Sequence, residues 1–273
     1  KLAGPPNDPK AVTAAMDKYF EPKVKLARVK GLINEPVCNS IITLHSFRNQ
    51  IYHRGLHYEK ILASISLFYF RIACDLFEKN KPRSFFYHPE QKIPHRARKY
   101  LGNKPFHEMP ELYVAACQRL REASEGMSLT LIEDLTGHME NIINNTDEMI
   151  SFLSQGDPKK PSRDQVIVDC QAWPFAFTEE GKRFACENQC PAKTMGGYIE
   201  WISSTYNWPH QSDPIRSWQK RLKSLKSENN HHKALEKYKH FLDQTEDLRE
   251  KIDKSSTYLD RHIEEQIDRA RGK

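Results

Sequence analysis

Glycine is scarce, with 11 in 273 residues, and no Gly-rich loop of the kind that cradles phosphates or dinucleotides is present. There is also no His-Glu-x-x-His metal helix and no Gly-x-Ser-x-Gly nucleophile elbow. These absences remove the nucleotide-dependent, zinc-hydrolase and serine-hydrolase readings. The most apolar run, Ile61 to Phe77, is shorter than a bilayer span and carries Arg71 and Asp75, so a membrane helix is excluded and the chain is expected to be soluble. The start, KLAGPPNDPK, lacks the basic and apolar regions of a secretory signal, and a reducing cytoplasm is the expected compartment. Six cysteines, at 38, 74, 117, 170, 186 and 190, are too few for a disulfide scaffold. Lys1 in place of Met points to a processed product or a portion of a longer polypeptide.

What is present is a polar chain of helical pattern. Hydrophobic residues make up 38% and charged residues 29%, and the net charge of +6 permits contact with phosphate backbones without requiring it. Apolar spacings of three and four predict a mainly α protein. A first helix is expected over 9–31, a second over 36–54, and a third over 57–80 that is apolar on nearly every side and should sit at the centre of the core. Residues 81–110, rich in Pro, His and basic groups, read as a long loop, and two more helices fit 110–125 and 128–155. This organises the chain as a helical bundle over 1–155, a linker and small mixed α/β subdomain over 156–213, and a C-terminal helical hairpin over 214–273 that breaks at Asn229 and Asn230. The mixed subdomain is expected from VIVDC, 166–170, the one strand-like run.

Chemistry concentrates in SIITLHSFRNQIYHRG, 40–55. At about 100° per residue, Ile41, Leu44, Phe47 and Ile51 share an apolar face. Beside it runs a polar stripe in the order Arg48, Tyr52, His45, Asn49, His53, about 140° wide. Asn49 and His53 are one turn apart, as are Arg48 and Tyr52. Such residues suit metal-free RNA cleavage, which needs a group to take the 2′-hydroxyl proton and return one to the leaving oxygen. Histidine titrates near neutrality and does both. A guanidinium offers fixed donors to the charge that develops on the phosphorus oxygens.

The segment resembles the HEPN superfamily, whose helical domains carry an Arg, a polar neighbour and a His after a spacer of four to six residues: here Arg48, Asn49 and His53. The resemblance covers residues 10–80 and extends toward 155. It implies a domain that dimerises and sets two such motifs around a shared cleft, with RNA cut by 2′-hydroxyl attack and no cofactor or metal. It further implies a toxin–antitoxin or antiviral (abortive infection) setting, with an antitoxin or sensor protein as partner. The expected catalytic residues are Arg48, His53, Asn49 and Tyr52. The alternative within the same resemblance is an inactive dimerisation or partner-binding module of a larger defence complex. A second Arg-x4-His spacing, Arg83 to His88, follows Pro82 and precedes Pro89, where no regular helix would hold the geometry. Gly55 stands where members silenced by nucleotidylation carry a Tyr.

Other signals are weaker. His45, Arg54, Arg96, Arg98 and Lys99 are the candidate RNA-binding groups, the last three in a basic loop interleaved with His95, Tyr100 and Phe106. Cys170, Cys186 and Cys190 lack a nearby fourth ligand for zinc, and a reduced, partly buried set is expected.

Overall fold

The computed structural model describes residues 9–54, 59–80, 95 and 109–271, with the backbone alone at 51–54, 59 and 109–112. Eleven helices lie among the described residues: α1 Pro9–Met16, α2 Phe20–Val29, α3 Glu35–Arg54, α4 Glu59–Lys79, α5 Met109–Glu125, α6 Leu131–Gly156, α7 Arg163–Ala176, α8 Glu179–Glu187, α9 Met195–Thr205, α10 Ile215–Lys226 and α11 His231–Ala270. The protein is mainly helical, and no strand occurs among the described residues. No described helix is long and apolar enough to cross a membrane. The chain forms two compact units, one of residues 1–135 with 228–236 and the other of 136–227 with 237–273.

In the first unit α1 packs on α2, α2 on α3, α3 on α4 and α4 on α5. The single helix expected over 9–31 is two. Pro22 falls in the first turn of α2, where its missing N–H costs nothing, whereas a continuous helix would drive its ring into the carbonyl of Lys18. Gly31, at φ +68°, then ends α2 in a left-handed turn, with Gly31 N–H on Arg28 O at 2.9 Å and Leu32 N–H on Ala27 O at 3.0 Å. Asn34 caps α3 through Oδ1, which accepts from Val37 N at 3.0 Å.

Helix α3 buries Cys38, Ile41, Leu44 and Phe47, and α4 buries Ile61, Ile65, Phe68 and Ile72. The expectation that α4 is enclosed on all sides is wrong: Tyr69, Phe70 and Phe77 are 44%, 36% and 53% exposed. Spacing counted apolar residues without showing which of them a neighbour covers. Across the covered side, Arg121 of α5 bridges Asp75 at 2.5 Å and Glu78 at 2.6 Å, and Arg71 donates to the carbonyls of Ser124 and Met127 at the end of α5.

The second unit holds residues 136–156 of α6, α7 to α10, and α11 from residue 237. Met139, Ile143 and Ile150 of α6 and Tyr238, Phe241, Leu248 and Ile252 of α11 are almost fully buried. Helices α10 and α11 form a hairpin whose inner side pairs Trp218 with Phe241 at 5.6 Å between ring centres.

The strand expected at 166–170 is helix, and residues 163–205 fold as α7, α8 and α9 rather than as a mixed subdomain. Ser162 starts α7 by accepting from Gln165 N at 3.2 Å. The β-branched run then buries Val166 and Ile167, with Cys170 and Ala172 following on the inner side. Burial thus overrides the modest helix penalty of β-branching. Ala172 and Ala176 pack with Ile199, Ile202 and Trp208.

Candidate functional site

The polar stripe occupies the second half of α3, held in place by the buried row Ile41, Leu44 and Phe47 and by the Asn34 cap. Within it Asn49 Nδ2 donates to His45 Nε2 at 3.1 Å, one turn back along the helix. The His45 ring lies 4.4 Å, centre to centre, from Phe20 of α2, so the imidazole is fixed from two sides. His45 and Asn49 are half-buried and Arg48 is exposed. The stripe therefore offers a guanidinium at the surface next to a constrained imidazole and amide.

The backbone of Tyr52, His53 and Arg54 continues α3 as its last turn, while their side chains lie outside the described residues. Arg96, Arg98 and Lys99 also lie outside the described residues, as does the Arg83 to His88 spacing. Of the nine candidate site residues, His45, Arg48 and Asn49 are thus the three whose side chains the structure describes.

Long-range pairs in the same unit were invisible to a reading by local spacing. His232 Nδ1 and Ser40 Oγ are hydrogen-bonded at 2.8 Å across 192 residues of sequence, with Phe68 packed on the His232 ring at 5.2 Å. Burial holds the His232 pKa below the ordinary imidazole value, and His231 beside it acts in the same direction while Asp75 opposes. Ser40 is 2% exposed, so this pair serves packing rather than attack on a substrate.

In the second unit an open cleft of about 430 Å³ is lined by Ser162, Arg163, Asp164, Asp213 and Arg216. Arg163 is anchored there by Asp213 at 2.6 Å, by Ser151 at 2.6 Å and by Asp147. Cys170 is buried, and burial pushes its thiol up to about 11, whereas Cys186 is exposed and Cys190 half-buried. No group of three His, Cys, Asp or Glu with metal-binding geometry occurs among the described residues.

Comparison with known proteins adds no assignment: no family model matches the sequence, and no curated protein or solved structure matches it significantly.

Proposed function

We propose that the chain is a metal-independent endoribonuclease of HEPN type, acting in a toxin–antitoxin or antiviral setting. The observation that carries this reading is the exposed Arg48 set beside the His45–Asn49 pair on one side of α3, with His53 in the turn that follows. In the proposed reaction His53 takes the proton from the ribose 2′-hydroxyl, whose oxygen attacks the adjacent phosphorus. The bond from phosphorus to the 5′-oxygen breaks, and that oxygen receives a proton from an imidazolium, supplied by the second copy's His53 or by the same ring after transfer. Arg48 neutralises the charge that gathers on the non-bridging oxygens. Asn49 and Tyr52 position the strand and the rings. The products are a 2′,3′-cyclic phosphate and a 5′-hydroxyl.

Two copies of the motif would form one composite site. Such pairing is supported by the open side of α4, which packs on α3 through its other side. Ala63, Ser66, Phe70, Ala73 and Phe77 follow one another at intervals of three and four without a charge, the seam spacing of paired helices. The test is RNA cleavage by the purified full chain in EDTA, with end-group analysis. Cyclic phosphate ends that disappear in Arg48→Ala and His53→Ala support the reading. An inert wild type, or full activity in His53→Ala, removes it in favour of a partner-binding module.

A further inference from the structure

Helix α10, IRSWQKRLKSLK, carries five cations and no acid in 12 residues. Its apolar side is fully used: Ile215, Trp218, Leu222 and Leu225 are at most 9% exposed. Two of the cations are engaged. Arg221 lies over the Phe241 ring and bonds His240, and Lys226 faces Glu140 at 3.8 Å. Arg216, Lys220 and Lys223 are exposed and have no carboxylate partner among the described residues. At about 100° per residue these three fall within about 60° of one another, and they span about 10.5 Å along the axis. Four successive phosphates of one helical strand, separated by three rises of about 3.4 Å, cover the same length.

The ridge opens at its N-terminal end onto the cleft between Arg163 and Arg216. Both carboxylates of that cleft are occupied. Asp213 pairs with Arg163 and accepts from Ile215 N at 3.0 Å, and Asp164 accepts from Asp213 N at 2.8 Å. An anionic membrane surface would also attract three cations, but a helix that embeds in the interface does so through an apolar face buried among the headgroups. Those of α10 are already committed to the core.

We infer that Arg216, Lys220 and Lys223 form a docking ridge for the phosphodiester backbone of an RNA strand. The choice of RNA as the polyanion rests on the ribonuclease reading, while the ridge's affinity for phosphodiesters does not. Backbone contacts of this kind position a strand without reading its sequence. They would hold a substrate on the second unit independently of the chemistry on α3.

The test is anisotropy titration of a fluorescent 20-nucleotide oligouridine with the full chain carrying Arg48→Ala, between 50 and 200 mM KCl. Replacing Arg216, Lys220 and Lys223 together by Gln should weaken binding at least tenfold at 50 mM KCl. Each lost contact should also remove about 0.7 from the log–log salt slope, about 2 in all. Restoring charge with Arg216→Lys should recover about a third of the slope change. All three sites are exposed, and circular dichroism verifies that the variant folds. An unchanged slope and affinity overturn the inference, as does ridge-dependent binding to phosphatidylserine vesicles without binding to RNA. Ridge-dependent binding by a wild type that never cleaves would sink the nuclease reading and leave the ridge standing.

Discussion

Asn49 Nδ2 donates to His45 Nε2 at 3.1 Å, and the same imidazole rests on Phe20 at 4.4 Å between ring centres. With Nε2 accepting, the neutral ring carries its proton on Nδ1. Asn49→Ala should remove that orientation and destabilise the half-buried pair by about 1 kcal/mol, the ordinary worth of one hydrogen bond. Urea unfolding measures the loss. If Asn49 and His45 also position the strand, RNA cleavage should fall by more than the loss of folded protein explains.

His53→Ala should lower the cleavage rate by about 10²–10⁴, the usual contribution of a general acid–base group. EDTA should leave the wild-type rate unchanged, because no step is assigned to a metal. Single-turnover cleavage of a labelled RNA reads both. A rate that EDTA abolishes would contradict the mechanism even if His53 proves essential.

Gly181 sits where a Cβ would come within 2.2 Å of Phe175 O, while its own N–H donates to Thr178 Oγ1 at 3.0 Å. The obstacle is backbone, so it cannot swing aside as a side chain would. Gly181→Ala should cost about 1–3 kcal/mol, the range of overpacking, despite alanine's better helix propensity. Denaturant midpoints of the two proteins decide it. Gly181 closes the short turn in which Thr178 starts α8 directly after α7 ends.

Helical content and the inner row of α3, Ile41, Leu44 and Phe47, were legible because burial repeats at the period of the helix, whereas α4 is apolar on nearly every side and its spacing does not single out the covered row Ile61, Ile65, Phe68 and Ile72. VIVDC misled because a short apolar run fits a buried helix as well as a strand, and the Ser162 cap that decides between them lies outside the run. The single helix expected over 9–31 missed the break between α1 and α2, for which Pro22, suited to the first turn of a new helix, was the available signal. At the site, the stripe was legible as composition, but Asn49 binding back to His45 was not, since i−4 and i+4 partners are equivalent in sequence. The pairing of Ser40 with His232 leaves no local trace, being made by the fold across 192 positions.

Phe70 and Phe77 expose 36% and 53% of their surface on the open side of α4. If that side joins two copies, Phe77→Glu should shift a dimer to monomer while leaving the folded unit intact, because the substituted side chain already faces water. Sedimentation equilibrium reads the mass and circular dichroism the fold. A dimer unaffected by Phe70→Glu and Phe77→Glu together would place the symmetric contact elsewhere.

His232 makes stability depend on pH with a definite sign. Its pKa in the folded chain lies below the unfolded value of about 6.5, first because burial disfavours the imidazolium and then because His231 is adjacent, with Asp75 opposing both. The unfolded chain therefore binds more protons than the folded one between those two values, and stability rises with pH in that window. The contribution is fully present above about 6.5 and is lost as pH falls from there through the lowered value. His232→Gln, which can still hydrogen-bond Ser40, should flatten the part of the pH profile that His232 supplies. Urea midpoints from pH 7.5 downward test this. A variant whose midpoint falls as steeply as the wild type's would show that other groups carry the acid sensitivity.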